Sequence, residues 1–402
     1  MGQHFQEIVR RRPLAVLLFL CFVAWLPGFF TLPPLDRDES RFAQASKQML
    51  ETGDFVDIRL GEEVRYAKPA GIYWMQAITT AVLGQGARDR IWTYRVPSLL
   101  GAFAAVAGTF WLASVIAGAE TGFWAGLLLG FSALLMSEAK IAKTDAVLLA
   151  TIVAAQAIVM RAYVSARAAE AGESPSLRLA LFGWAAFGLG VLVKGPVILL
   201  VCGATILALS LWDRDLGWLK RLHAFRGAAV ALAIVLPWVI AIGVASHGLF
   251  FQKSLGGDFA AKLVGEQETH GAPPGYFALL SHATFWPASF ALLPGLVLGV
   301  LRRKQPAIRF LLVWTATTWI MFEVTPTKLP HYILPAYPAL AVLGALWLTD
   351  TAPETLALRF ARLVSRWLFV LVAGALAVFL LWAPTIYGGG TPTWWIYSGA
   401  VG

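Results

Sequence analysis

Residues Pro97 to Ala117 read PSLLGAFAAVAGTFWLASVIA, twenty-one residues without one charged side chain. About 20 apolar residues are needed to cross the hydrocarbon of a bilayer as an α-helix. Working outward from this run, stretches of similar size recur at roughly 14–31, 122–138, 145–162, 179–194, 196–212, 227–246, 283–301, 308–325, 332–349 and 367–386. Short charged or Pro/Gly-rich connections separate them. The runs are continuously apolar and rich in Leu, Ala, Val and Gly, whereas a membrane barrel needs short alternating segments. The expected fold is therefore all-α, a polytopic transmembrane helical bundle of about eleven spans.

Composition agrees. Of the 402 residues 58% are hydrophobic and only 14% charged, with 17 Trp and 25 Phe, too apolar for a water-soluble domain of this length. The net charge of +9 comes from basic residues between the apolar runs and not from one amphipathic face, so topology explains it and no nucleic-acid partner is expected. Cys21 and Cys202 both fall inside apolar runs, where they pack as small hydrophobes. Arg10, Arg11 and Arg12 precede an apolar stretch as in a signal peptide, but no small-residue cleavage site follows Phe30, which suggests an uncleaved first helix.

Short cytoplasmic loops carry an excess of Lys and Arg. With a cytoplasmic N-terminus, the loops around Arg161 and Arg178, around Arg214 and Arg226, around Arg302 and Arg309, and around Arg359 and Arg366 all fall inside. The solution requires Gly71 to Gly84 to lie along the membrane surface, because crossing would invert every later loop. Two long outer segments remain, about residues 32–95 and 246–282, and loops of such length usually carry function. The expected organisation is one integral domain over 1–402 with no soluble C-terminal domain.

Five polar clusters fall on the outer side of this topology. The first, Pro33-Pro34-Leu35-Asp36-Arg37-Asp38-Glu39-Ser40-Arg41, gathers three carboxylates beside two arginines. It reads either as a solvated turn with Ser40 or Asp38 capping the next helix, or as the seat of a general base. Arg65-Tyr66-Ala67-Lys68-Pro69-Ala70-Gly71-Ile72-Tyr73-Trp74 puts a cation and aromatic rings at headgroup depth, suited to interfacial anchoring or to a phosphate and a sugar. Asp145 ends the string from Glu138 through Lys140, Lys143 and Thr144; it either caps a helix or serves as a second acid. Lys194-Gly195-Pro196 and Lys328-Leu329-Pro330-His331-Tyr332 each break a helix beside a cation, as tight hairpins with snorkelling lysines also do. Independent helix caps have no reason to share one side.

Together with Arg95-Val96-Pro97-Ser98, these clusters resemble the aminoarabinose transferase and protein O-mannosyltransferase superfamily of GT-C membrane glycosyltransferases, more closely its bacterial aminoarabinose branch. The resemblance covers nearly the whole chain. It implies sugar transfer from a polyprenyl phosphate carrier to a lipid or glycan acceptor, most simply lipid A, at the periplasmic face of a bacterial inner membrane. Asp38 matches the family's catalytic acid and Asp145 its second acid, with Glu39 beside them. Lys68, Lys262 and Tyr332 match carrier-phosphate positions, joined here by Lys194 and Lys328. Arg41, Tyr66, Tyr73 and His331 are expected to contact sugar or acceptor.

Aminoarabinose members also place a Glu before the Lys-Pro pair and a His in the later loop as zinc ligands, where this chain has Ala67 and Gly257. The family's zinc-ligand positions are thus replaced; no cofactor is certain, and a divalent metal stays open. His247, His270 and His282, with Asp258, Glu266 and Glu268, match no standard metal spacing and read as solvated loop residues or acceptor contacts. The competing class is a transporter or flippase of a lipid-linked glycan. Such folds place ionisable groups near the midplane and show paired repeats, whereas the central parts of these runs are nearly uncharged.

Overall fold

The computed structural model describes residues 11–34, 36–167, 174–254 and 272–387. In chain order the helices are α1 (Pro13–Trp25), α2 (Arg37–Thr52), α3 (Gly71–Leu83), α4 (Ile91–Ala117), α5 (Ala119–Gly130), α6 (Ala133–Glu138), α7 (Asp145–Ser165) and α8 (Leu177–Lys194). There follow α9 (Val197–Asp213), α10 (Ala224–Ala245), α11 (Tyr276–Thr284), α12 (Leu292–Leu301), α13 (Pro306–Val324), α14 (Tyr337–Leu348) and α15 (Leu356–Tyr387). A hairpin of β1 (Arg59–Leu60) and β2 (Glu63–Val64) interrupts the segment between α2 and α3, turning at Gly61. The chain is a multi-span helical membrane protein.

Every predicted apolar run is helical over most of its length. Among the described residues, seven helices are long and apolar enough to cross a membrane: α4, α7, α8, α10, α13, α15, and α14 together with the 3₁₀ turn Pro330–Ala336 before it. Three further apolar helices are shorter, at Pro13–Trp25, Val197–Asp213 and Ala288–Leu301. The predicted run 122–138 breaks at Phe131-Ser132, where the amide of Ala133 leaves the helix ladder and donates to the carbonyl of Trp286 at 2.9 Å. At the last span the helix starts at Leu356, so Arg359, Arg362 and Arg366 are helical instead of in a loop.

The core is α7, with α4 and α8 packed along it, α10 against α8, and α5 and α14 beside α4. Gly101 permits a close approach: a Cβ there would stand 2.7 Å from the backbone of Val147, so α4 and α7 meet main chain to main chain. The predicted surface segment is α3, of 13 residues, which packs on α2 and α4. Its Gln76 accepts a 2.7 Å hydrogen bond from Ser46 of α2.

A helix rises about 1.5 Å per residue, so α7 separates its two ends by on the order of 30 Å. At the Ser165 end Arg167 and Arg309 both pair with Asp213, and Tyr163 donates to the same carboxylate at 2.7 Å. Two arginines from separate segments thus meet at one end, on the carboxylate of a third. The outer clusters gather at the other, around Asp145.

Candidate functional site

Placement of the site begins with a buried arginine. Arg95 sits one turn into α4 and is 1% exposed. It donates to both oxygens of Glu39, at 2.7 and 3.3 Å, and to the carbonyls of Phe29, Leu32 and Pro33 at 3.0, 2.9 and 3.2 Å. One guanidinium therefore fastens the chain leaving α1 to the first turn of α2. Glu39 also accepts from the amide of Ala142 at 3.1 Å, tying in the loop before α7.

Asp36 caps α2, its carboxylate accepting from the amide of Asp38 at 2.7 Å, in place of the expected Ser40 or Asp38. Asp38 in the first turn is left about half exposed, with Arg41 at 4.0 Å. Lys143, held by two backbone contacts to Ser98, donates to Asp36 at 2.9 Å and stands 3.9 Å from Glu138. Burial opposes its charge, but Glu138, Asp145 and Asp36 outweigh that and raise its pKa. Burial also acts on Asp36, yet the Lys143 hydrogen bond and the Asp38 amide outweigh it and lower its pKa. Burial, then the Asp145 carboxylate, push Glu138 up to about 8.

Thr144 stands at the N-cap of α7 without a capping bond, and Asp145 begins the helix. Asp145 pairs instead with Lys194, which closes α8 just before Gly195 turns the chain at φ 61° into α9. The lysine does not snorkel. Its ammonium also lies 5.9 Å from the ring centroid of Tyr332.

These groups line one cavity of about 790 Å³. Asp36, Asp38 and Arg41 come from the first cluster, Arg65 and Lys68 from the second, Glu138, Lys143 and Asp145 from the third, Lys194 from the fourth, and His331 and Tyr332 from the fifth. All five clusters meet. With Arg37, six cationic side chains face four carboxylates, so the walls favour an anion. A second, mainly apolar opening is lined by Leu148, Val197, Leu200, Met321, Phe322 and Pro335. The two share Lys68, Asp145, Lys194, His331 and Tyr332, making a polar chamber with an apolar slot at one side.

Four residues named from sequence lie elsewhere. Glu39 is 1% exposed, held by Arg95 and outside the cavity wall, so it positions the loop instead of meeting substrate. Lys328 donates to the carbonyl of Ala272 at 2.9 Å and lies 3.8 Å from Glu323, while its neighbours Thr327 and Leu329 face the chamber. Tyr73 is buried behind the wall and accepts from Arg65 at 3.1 Å. Tyr66 donates to Asp57 at 2.6 Å and faces a side opening shared with Arg41 and Arg65; burial, then Asp57, push it up to about 12. Lys262, Gly257, His270, Asp258, Glu266 and Glu268 lie outside the described residues.

Sequence reasoning missed Arg95, Lys143 and Glu138 as parts of the site. A signal was present in Arg95, which stands only two residues before the apolar run at 97–117. At the zinc place of the aminoarabinose branch, Ala67 puts a methyl group on the cavity wall. The methyl group supplies no carboxylate at that place.

Similarity to known proteins follows the same outline. An arabinosyl transferase of Pseudomonas paraeruginosa, named for undecaprenyl phosphate-alpha-4-amino-4-deoxy-L-arabinose, is 29% identical over 392 residues, covering 94% of this chain and 67% of its own length. The enzyme of the same name from Pectobacterium atrosepticum is 27% identical, covering 91% of this chain and 63% of its own. The crystal structure of ArnT from Cupriavidus metallidurans bound to undecaprenyl phosphate superposes with a TM-score of 0.77 at 22% identity, over 92% of this chain and 64% of that one. The chain thus spans about two thirds of the length of these proteins. The family model of dolichyl-phosphate-mannose-protein mannosyltransferase matches residues 12–248, more than half of the 402, and the chain belongs to that family.

Proposed function

We propose that this chain transfers a sugar from a polyprenyl phosphate carrier to a lipid or glycan acceptor of the cell envelope, lipid A in the simplest case, at the periplasmic face of a bacterial inner membrane. The observation that carries the reading is the join between chamber and slot. A carrier with a charged head and a long apolar tail needs both, and Lys68, Lys194 and Tyr332 stand where they meet. The relatives bearing the arabinosyl transferase name, and the similar structure holding undecaprenyl phosphate, favour the same donor.

In this reading the carrier phosphate rests against Lys68 and Lys194. The prenyl chain runs along Leu200, Met321 and Phe322. The sugar lies in the chamber before Asp145, and Arg41 and His331 meet sugar or acceptor. Asp38, half exposed on the chamber wall, takes the proton from the acceptor hydroxyl or amine. As the acceptor atom bonds to the anomeric carbon, the bond from that carbon to the phosphate oxygen breaks. The electron pair leaves with the phosphate, the lysines stabilise the charge it gains, and the anomeric configuration inverts. Because the carrier sugar is already activated, the reaction needs no nucleotide.

Asp38→Asn tests the assignment. A positioned general base contributes about 10²- to 10⁴-fold. Transfer should therefore fall at least about 10²-fold while the protein stays monodisperse and still binds polyprenyl phosphate. Retained transfer by purified Asp38→Asn protein would remove the base from the mechanism.

A further inference from the structure

We propose that Glu138, Asp145 and His331 form a divalent-cation site on the wall of the chamber, separate from the zinc place that Ala67 leaves without a carboxylate. Each residue offers one ligand atom, and the three lie within 4.8 Å of one another, the one such group among the described residues. They come from α6, the start of α7 and the 3₁₀ turn before α14. A cation there would tie together three elements that already pack on one another.

The second observation is an orphan oxygen. Glu138 is 4% exposed, and its Oε2 has no hydrogen-bond partner. A buried carboxylate oxygen without a partner costs free energy comparable to a lost hydrogen bond, more when charged. Its other oxygen is 3.9 Å from Lys143, whose nearer partner is Asp36 at 2.9 Å. At Asp145 the lysine of α8 occupies Oδ1, while Oδ2 receives only a 3.5 Å contact from Thr144. One oxygen on each carboxylate is thus free to bind.

Bond lengths near 2.1 Å bring ligand atoms to about 3 to 3.6 Å apart, a contraction within reach of rotamer adjustment in three side chains. Two carboxylates and one imidazole suit Mn²⁺ or Zn²⁺ better than Ca²⁺. The remaining coordination positions open into the chamber. If the transfer reading above holds, they face the donor phosphate, but binding itself does not depend on that reading.

The test uses the full chain in lipid nanodiscs, stripped with chelator and titrated with Mn²⁺ while electron paramagnetic resonance reads free and bound ion. Wild type should bind one Mn²⁺ per chain, with electron spin echo modulation from an imidazole nitrogen. Glu138→Gln and His331→Gln should each weaken binding at least about tenfold, and His331→Gln should abolish the nitrogen modulation. If either variant loses its gel-filtration peak, the wild-type nitrogen signal decides alone. No saturable binding, no nitrogen modulation, or unchanged affinity in both variants overturns the site. Since neither donor nor acceptor is present, that outcome leaves glycosyl transfer untouched. Loss of transfer with binding intact would instead count against the proposed function alone.

Discussion

Replacing Arg95 by Met should unfold the outer end of the bundle more readily than any single change inside the chamber. The substitution keeps most of the aliphatic volume but removes five hydrogen bonds, two of them to Glu39. Glu39, at 1% exposure, would keep one amide contact from Ala142 and no counter-charge. Breaking a buried ion pair by removing one partner costs about 3 to 5 kcal/mol. The freed carbonyls of Leu32 and Pro33 are only part-buried, so water recovers most of their roughly 1 kcal/mol apiece, whereas that of Phe29 is buried and keeps its loss. A loss of about 4 kcal/mol follows for Arg95→Met. The double variant Arg95→Met with Glu39→Leu removes both charges, and buried pairs replaced by apolar residues are often neutral or stabilising. It should therefore recover at least about 2 kcal/mol of that loss. Thermal unfolding followed by tryptophan fluorescence in one detergent measures the whole cycle. If Arg95→Met alone costs less than about 1 kcal/mol, or the double variant is no more stable than the single, the pair does not hold the loop.

Lys194→Met leaves Asp145, at 5% exposure, without its ion-pair partner; stability should fall by about 3 kcal/mol and binding of polyprenyl phosphate should weaken in the same protein, read by native mass spectrometry. Unchanged carrier binding would detach Lys194 from the phosphate. Asp36 has a folded pKa below its usual 3.8, so its contribution to stability is fully present above that value and is lost as pH falls through the lower one. The stability gap between wild type and Asp36→Asn should accordingly be flat above about pH 5 and close toward zero in stronger acid. A gap that widens in acid would mean the Lys143 contact does not form.

Much of this was legible because hydrophobic runs and loop arginines are long-range statistical signals, insensitive to the details of packing. Topology assigned from arginines alone placed five clusters on one side, and the cavity joins them. Helix phase was not legible. Asp38 and Glu39 are adjacent in sequence, but successive residues on a helix point about 100° apart, so one faces the chamber and the other the bundle. Pairing across distance was equally hidden: Glu39 and Arg95 are 56 residues apart, and nothing local in either names the other. The break at Phe131-Ser132 follows Gly130, but the carbonyl that takes the Ala133 amide belongs to Trp286, more than 150 residues later. The role of Lys143 depends on its backbone contacts to Ser98, which fix where the ammonium can reach.

Sugar transfer from a polyprenyl phosphate is tested most directly by product. Purified protein is supplied with polyprenyl phosphate carrying a radiolabelled pentose or hexose, together with an envelope lipid extract. Label should pass to an acceptor while one equivalent of free polyprenyl phosphate appears for each sugar moved. If every donor offered stays intact, or its sugar is released only to water, the chamber is not the site of a glycosyl transfer.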